Sequence, residues 1–234
     1  ISIHQYVSFF ISKMNYLTSQ LLNSEELEII RNNLNKQELF WEDGKRTAGK
    51  HAAVVKNNLQ LKRDSDLSKK FSGLIKQKIL SSELIKSFAL PKKIHGTTFS
   101  KTTHGMKYGR HIDNPYMSSG RADLSFTTFL NCKDSYEGGE LSIESFNTKE
   151  KFKLDAGELI IYPSTYLHSV EEVLSGERLV FIGWIESYVK SVEEREYLFD
   201  LDAAARSLLA KYGRSEEVDL LFKSYSNLLR RLGN

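Results

Sequence analysis

The sequence predicts a mainly β protein with flanking α-helices, and three observations support this fold class. Short apolar runs alternate with turn signals between about residues 95 and 187. Helical periodicity is confined to the two flanks of the chain. The 234 residues include 13 Phe and 11 Tyr, which suit a β-rich core. Many short strands at regular spacing favour a sandwich or jelly roll over βαβ units.

The central region carries the strand pattern. An apparent strand end at Met106–Gly109 is followed by six apolar runs: Ala122–Leu130, Gly139–Phe146, Lys151–Leu154, Glu158–Tyr162, Leu167–Val173 and Arg178–Ile185. Glycine-containing turns separate several of these runs. This pattern predicts a β-core over residues 95–190.

The N-terminal flank, residues 1–94, mixes one strand with helices. A strand is predicted around Tyr16–Leu22, followed by a helix over about 24–35 that Asn23 and Glu26 begin as a capping-box pair. Residues 41–64 are predicted to be loop and extended chain. Asp66 is predicted to cap a helix over about 67–79, and a second helix over about 81–88 ends at Pro91.

The C-terminal flank, residues 191–234, is predicted to be a helical extension. Apolar residues recur at helical spacing until Gly213, and a last helix covers about 215–232. Its apolar faces suit packing against the sheet, or alternatively a homodimer interface.

Composition narrows the class of protein. The net charge of +3 is spread along the chain and gives no nucleic-acid signature. No apolar run reaches membrane-spanning length, and the short stretch Tyr6–Ile11 lacks the flanks of a signal peptide. The single Cys132 excludes an internal disulfide and a CxxC zinc site, and is predicted to be an inert packing residue. These features predict a cytoplasmic protein.

Three side chains suggest a metal site. In an extended chain alternate residues point to the same side, so His111 and Asp113 can face one metal ion. His168 lies on a later strand of the same β region. Two imidazoles and one carboxylate form the facial triad of non-haem Fe(II) oxygenases, which leaves coordination positions open for a 2-oxo acid and dioxygen.

Arg178 follows His168 by one hairpin. An arginine there can pair with the distal carboxylate of 2-oxoglutarate. Tyr108 can add a hydroxyl hydrogen bond to the same molecule, or it can be a core aromatic residue. A lone His-x-Asp pair is a weak signal, but its combination with a distant His and a following Arg is specific. His4, His51 and His95 are expected to be ordinary histidines, whereas His104 is weighed as a residue near the site entrance.

These motifs resemble those of the prolyl/lysyl-hydroxylase-domain (PKHD-type) hydroxylases. The matching segments are Met106–Asp113, Arg121–Ser125, Tyr136–Leu141, Tyr162–His168, Gly176–Arg178 and Gly183–Trp184, with Trp41–Gly49 and Lys56–Gln60 upstream. The resemblance covers about residues 16–230.

The resemblance implies a double-stranded β-helix (jelly-roll) core and Fe(II)/2-oxoglutarate-dependent hydroxylation, with ascorbate as a reductant. It assigns iron to His111, Asp113 and His168, and 2-oxoglutarate to Arg178. The upstream segments are either a flap over the active-site mouth or an ordered loop at the barrel edge. Candidate substrate residues are Asn58 and Gln60 on this segment, together with Arg110 and Arg121.

Three functions remain open from the sequence. The first is hydroxylation of a prolyl or lysyl residue in a protein or peptide. The second is oxygenation of a small molecule, such as a free amino acid or an iron-chelating metabolite. The third is a non-catalytic jelly roll that binds a metal or ligand. Retention of all four predicted ligands disfavours the third, and nucleic-acid demethylation is disfavoured because no basic stripe is evident.

Overall fold

The computed structural model describes residues 16–36, 40–47, 49–145 and 148–234. The stretch Tyr6–Ile11, His4 and the predicted strand end at Phe146 lie outside these ranges, as does the side chain of His51. The helices are α1 (Ser24–Asn35), α2 (Lys50–Val54), α3 (Asp66–Ser81), α4 (Glu83–Ala89), α5 (Val192–Tyr212) and α6 (Glu216–Leu232).

Two antiparallel sheets form the centre of the molecule. The strands are β1 (Leu17–Gln20), β2 (Trp41–Asp43), β3 (Lys56–Asn57), β4 (Leu59–Leu61), β5 (Pro91–Thr103), β6 (Lys107–His111), β7 (Tyr116–Met117), β8 (Gly120–Arg121), β9 (Leu124–Phe129), β10 (Tyr136–Gly138), β11 (Leu141–Glu144), β12 (Lys149–Phe152), β13 (Glu158–Pro163), β14 (Leu167–Val170) and β15 (Val173–Ser187). The large sheet has the order β1-β13-β9-β15-β5-β4-β2, and β10 also pairs with β15. The small sheet has the order β12-β11-β14-β6-β3, while β7 and β8 form a separate hairpin. This arrangement confirms the predicted β-core with flanking helices.

The N-terminal helices form where local capping dictates. Asn23 Oδ1 accepts from the Glu26 amide at 2.9 Å, and the Glu26 carboxylate accepts from the Asn23 amide at 3.0 Å, so the predicted capping box is present. The predicted cap of α3 was wrong by one residue. Ser65 is the N-cap, because its hydroxyl accepts from the amide of Ser68, and Asp66 is the first helical residue.

The main core lies between the large sheet and the N-terminal helices. Three phenylalanines from adjacent strands, Phe99, Phe126 and Phe181, are almost fully buried there. The Phe99 and Phe181 rings lie 4.8 Å apart between centroids, and the Phe126 and Phe181 rings lie 5.9 Å apart. A smaller cluster fills the space between the two sheets, and its buried residues include Phe129, Ile143 and Tyr162.

The structure adds elements that the sequence pattern did not reveal. Strand β5 begins at Pro91 and runs for 13 residues, so the large sheet reaches beyond the predicted 95–190 core. Helix α2 lies inside the stretch predicted as loop and extended chain. Strand β15 covers 15 residues and extends across the gap between the predicted runs Leu167–Val173 and Arg178–Ile185.

Both predicted C-terminal helices are present. The core-facing side of α5 buries Leu198, Phe199 and Ala203, whereas Leu208 and Tyr212 remain exposed near its end. No helix in the described part of the chain is long and apolar enough to cross a membrane.

The expectation for Cys132 was wrong, because this residue is exposed. After β9 the chain leaves the sheet and enters a short 3-10 turn at Lys133–Ser135, which carries Cys132 to the surface.

Candidate metal and co-substrate site

Two neighbouring strands of the small sheet bring the predicted metal ligands together. His111 ends β6 and is the cross-strand partner of His168 in β14, while Asp113 follows two residues after His111. Each of the three residues offers one ligand atom, and these atoms all lie within 4.8 Å of one another. The antiparallel register therefore converts a separation of 57 residues between the histidines into direct proximity.

Backbone hydrogen bonds orient both imidazoles. The Nδ1 atom of His111 lies 2.8 Å from the carbonyl oxygen of Gly109, and that of His168 lies 3.1 Å from the carbonyl oxygen of Tyr166. A carbonyl only accepts, so each Nδ1 carries the hydrogen and each Nε2 keeps its lone pair. This tautomer is the one that a metal ion at the Nε2 atoms requires.

The carboxylate of the cluster is also held in place. The Ser125 hydroxyl donates to Asp113 Oδ2 at 2.6 Å, and it lies 2.7 Å from the Ser164 hydroxyl. The same Oδ2 atom is 3.7 Å from His168 Nε2. Ser125 lies on β9 of the large sheet, so the cluster is braced from the opposite side of the cavity.

Electrostatics keep His111 in its ligand-competent form. Burial, followed by the neighbouring His168, lowers the pKa of His111 to about 4. His111 is therefore a neutral imidazole at neutral pH. Two imidazoles and one carboxylate are a donor set that fits Fe(II) with coordination positions left open.

A cavity of about 400 Å³ lies over this cluster. Both sheets contribute to its walls, and Arg178, Tyr108, Asn58 and Gln60 line it beside the two histidines and the carboxylate. Its size and its position between the sheets are those of a small-molecule site.

Arg178 is a buried cation inside this cavity. It is 3% exposed, its guanidinium lies 5.5 Å from the centroid of the Phe129 ring, and its buried Nε atom has no hydrogen-bond partner. Burial lowers the pKa of Arg178, and the neighbouring Tyr136 opposes that effect. Among the described residues Arg178 forms no ion pair, so its charge fits an anionic ligand in the cavity.

Tyrosine rings surround the histidines. Tyr108 is stacked on His111 with 3.6 Å between ring centroids, and the Tyr162 ring lies 5.3 Å from that of His168. Burial raises the pKa of both phenols, which therefore stay protonated and can donate hydrogen bonds. Tyr108 lines the same cavity as Arg178, and its contact with 2-oxoglutarate stays a prediction.

The upstream segment spans the cavity. Strand β3 pairs with β6 of the small sheet, and β4 pairs with β5 of the large sheet, so residues 56–61 bridge the two sheets. Asn58 donates from Nδ2 to the Ser100 hydroxyl at 2.6 Å, and Gln60 accepts from the Thr47 hydroxyl. Both side chains are buried, and both line the cavity.

Three other residues that the sequence analysis considered lie outside the cavity lining. Arg110 is exposed and pairs with Glu144 at 2.6 Å, outside the cavity lining. Arg121 is held by Asp123 and Glu186, also outside the lining. His104 is exposed, and its Nδ1 atom lies 2.7 Å from the carbonyl oxygen of Leu174, outside the cavity lining. Each of these three side chains bonds to a protein group outside the cavity lining.

Sequence reasoning did not single out Lys56, Ser125 or Tyr162, although all three line the cavity. For Lys56 a signal was available: it alternates with Asn58 and Gln60 and therefore shares their side of an extended chain. For Ser125 and Tyr162 no local signal existed, because strand pairing across the sheets decides which residues face the cluster.

Comparison with known proteins supports the class of oxygenase that the donor set and the buried arginine indicate. Residues 97–186 match the family model of the 2OG-Fe(II) oxygenase superfamily. A Pseudomonas putida prolyl-4-hydroxylase has a similar fold, with a TM-score of 0.57 at 15% identity, covering 80% of this chain and 99% of that one. The prolyl hydroxylase of Trichoplax adhaerens gives a TM-score of 0.55 at 15% identity, covering 84% and 90%. Fold and family model define a 2-oxoglutarate- and Fe(II)-dependent dioxygenase.

Relatives with higher sequence identity show which family within this class the chain belongs to. A PKHD-type hydroxylase of Prochlorococcus marinus strain MIT 9215 is 73% identical over 220 residues, covering 94% of this chain and 100% of the relative. Its counterpart in strain AS9601 is 70% identical over 221 residues with the same coverage. Residues 193–233 match the PKHD-type hydroxylase C-terminal domain. The chain belongs to the PKHD-type hydroxylase family.

Proposed function

We propose that this enzyme hydroxylates a prolyl or lysyl residue of a protein or peptide, with His111, Asp113 and His168 holding Fe(II) and Arg178 holding 2-oxoglutarate. When bound, Fe(II) with 2-oxoglutarate and dioxygen supplies the oxidising power that converts a C–H bond into a C–OH bond. Ascorbate is proposed as the reductant that keeps the metal ferrous.

One observation carries the proposal: a buried arginine that forms no ion pair within the described ranges shares a cavity with a two-histidine, one-carboxylate cluster. A buried guanidinium is costly unless an anion neutralises it, and its two-pronged geometry matches a carboxylate. The distal carboxylate of 2-oxoglutarate satisfies both requirements.

The side chains of the site have separate tasks. The backbone carbonyls of Gly109 and Tyr166 fix the imidazoles so that Nε2 points to the metal position. Ser125 holds the Asp113 carboxylate, and Tyr108 donates its phenolic hydrogen to the co-substrate. The bridging segment 56–61 restricts access of water to the cavity, because its side chains are packed between the sheets.

The similarity to prolyl hydroxylases supports a peptide substrate. The Trichoplax adhaerens enzyme has been solved in complex with a peptide fragment of the hypoxia inducible factor oxygen degradation domain. The structural similarity covers 84% of this chain. A substrate peptide can therefore lie as an extended segment on the same face of the two sheets, next to the metal.

Two assays test this function. The purified protein, supplied with Fe(II), 2-oxoglutarate and air, should release succinate, measured by mass spectrometry. Incubation with a cell extract should then add the mass of one oxygen atom to prolyl or lysyl residues. Hydroxylation of a free amino acid or a metabolite instead of peptides would contradict the proposed substrate class while leaving the oxygenase activity in place.

A histidine pair provides the matched control. We expect His111→Ala to abolish succinate release, because one of three ligands is lost. His104→Ala removes an exposed imidazole outside the cavity and should leave turnover unchanged. Full turnover by the His111→Ala protein would remove His111 from the site.

A further inference from the structure

Lys56 has an unusual environment for a lysine. It begins β3 directly opposite Tyr108 of β6, and only 5% of its surface is exposed. Its Nζ atom donates to the Thr47 hydroxyl at 3.2 Å and lies 5.1 Å from the centroid of the Tyr108 ring. Tyr108 is itself stacked on His111, so the Tyr108 ring lies between this ammonium group and a proposed metal ligand.

The protein leaves this ammonium group incompletely paired. Its hydrogen-bond partner is a neutral hydroxyl, and within the described ranges no carboxylate lies at ion-pair distance from it. A lysine ammonium has three donors, so two have no hydrogen-bond partner among the described residues. A buried charge in this state is costly unless a ligand completes it.

The charged residues of the cavity wall indicate whether that ligand is an anion or a cation. The basic lining residues that the structure describes are Arg46, Lys56, Arg63 and Arg178, whereas Asp113 is the acidic one. Asp113 is proposed to be neutralised by the metal, and Arg178 by 2-oxoglutarate. Lys56 and Arg63 then remain, with no acidic lining residue among the described ones to balance them, whereas Arg46 pairs with Glu42 at 3.2 Å.

We infer that Lys56 is a substrate-binding residue, which pairs with a carboxylate close to the C–H bond that is hydroxylated. The substrate class is then an acidic peptide, in which an Asp or Glu side chain flanks the reacting prolyl or lysyl residue. Arg63, whose guanidinium donates to the carbonyl oxygen of Gly96, adds a second positive charge to the cavity lining. This inference rests on the proposed hydroxylase function.

The protonation state of Lys56 agrees with this role. Burial, followed by the charge of Arg63, lowers its pKa to about 8, whereas Asp113 and Asp43 act in the opposite direction. Lys56 is therefore mostly charged at neutral pH. A bound carboxylate would favour the charged form further.

A binding experiment tests the inference without turnover. The protein is loaded with Mn(II) and 2-oxoglutarate under nitrogen, and pairs of peptides are bound to it. Proline-centred and lysine-centred peptides with randomised flanks differ within each pair by Asp against Asn, or Glu against Gln. Fluorescence polarisation should show the acidic member binding at least about tenfold more tightly to the unmodified protein. In Lys56→Gln the two members should bind equally, whereas Lys56→Arg should keep the preference.

Lys107→Gln is the matched control, since Lys107 lies on the adjacent strand, pairs with Glu172 and is outside the cavity lining. It should retain the full preference for acidic peptides. In Lys56→Glu the preference should invert toward peptides with a flanking lysine. Melting temperatures and 2-oxoglutarate affinities of all variants establish that the site is intact.

Several results would overturn the inference. These are equal binding of acidic and neutral peptides by the unmodified protein, a preference that persists in Lys56→Gln, or binding of no acidic peptide. Tighter binding of phosphoserine than of both Asp and Glu would refute the carboxylate as the recognised group. Succinate release from 2-oxoglutarate in air, measured on the same preparation, separates this failure from failure of the proposed oxygenase function.

Discussion

At the scale of single residues, the site depends on a few hydrogen bonds and on two buried cations. The carbonyls of Gly109 and Tyr166 select the histidine tautomer, and the hydroxyl of Ser125 fixes the Asp113 carboxylate. Arg178 and Lys56 are both buried without a carboxylate partner among the described residues, so each provides a charge for a ligand rather than for the fold.

Removal of the Arg178 guanidinium should weaken 2-oxoglutarate binding more than it weakens the chemical step. We expect Arg178→Ala to raise the KM for 2-oxoglutarate by about tenfold or more, because a charged hydrogen-bond pair is lost. Arg178→Lys keeps the charge but not the two-pronged contact. Its KM for 2-oxoglutarate should lie between those of the unmodified protein and Arg178→Ala. Arg110→Ala, which removes an exposed arginine paired with Glu144, is the control. An unchanged KM in Arg178→Ala would show that another group binds the co-substrate.

Lys56 should reduce stability near neutral pH. Its pKa is about 8 in the folded protein, below the ordinary value of 10.5, so the folded state binds the proton less tightly than the unfolded state. The cost is full below pH 8 and is lost as the pH rises toward 10.5. Lys56→Met should therefore be more stable at pH 7 by up to roughly 3 kcal/mol, and this advantage should fall to about half by pH 9.5. Urea unfolding at both pH values measures it, and a pH-independent difference would contradict the burial argument.

At the scale of elements, short connections place the ligand-binding groups. Residues 56–61 join the edges of both sheets through β3 and β4, which carries Lys56, Asn58 and Gln60 to one cavity. The turn between β10 and β11 lies against Arg178. Gly139 in that turn has a φ of +70°, and a Cβ atom there would lie 3.0 Å from Arg178 Cδ.

This turn provides a test with an internal control. Gly139→Ala should lower the free energy of unfolding by about 1 kcal/mol for its left-handed backbone, and by more for the contact. It should also raise the KM for 2-oxoglutarate, because Arg178 must shift. Gly105 has a φ of +74° and open space around its Cβ position, so Gly105→Ala should show the backbone cost alone. Equal effects of the two substitutions on KM would exclude the contact with Arg178 as the cause.

At the scale of the whole molecule, the large sheet is the support for the site. Its central strands β5, β9 and β15 pack against the N-terminal helices through Phe99, Phe126 and Phe181. The opposite face of the same strands carries Ser125 and Arg178 into the cavity. The position of the site therefore depends on the core behind it.

Phe181→Ala should destabilise the whole protein. Phe181 is fully buried between two other aromatic rings, so truncation should cost about 3–5 kcal/mol through lost burial and a residual cavity. Tyr197→Ala truncates an aromatic side chain that is 66% exposed and should change stability by about 0.5 kcal/mol or less. Equilibrium urea unfolding compares the two variants. A loss similar to that of Tyr197→Ala would mean that Phe181 does not support the core.

The sequence by itself determined the β-core, the flanking helices and the three side chains of the candidate metal site. These features depend on local patterns: alternation in strands, the capping pair Asn23–Glu26, and the two-residue spacing of His111 and Asp113. Motif resemblance also indicated the family. The physical basis is that each of these signals acts over a few residues along the chain.

Only the tertiary structure decided which other side chains share the cavity. The pairing of β3 with β6 buries Lys56 beside Tyr108, and packing of the sheets brings Ser125 to Asp113. The same packing turns Arg110 and Arg121 into ion pairs outside the cavity lining. These outcomes depend on contacts between residues far apart in sequence, and strand register, which local composition does not encode, determines them.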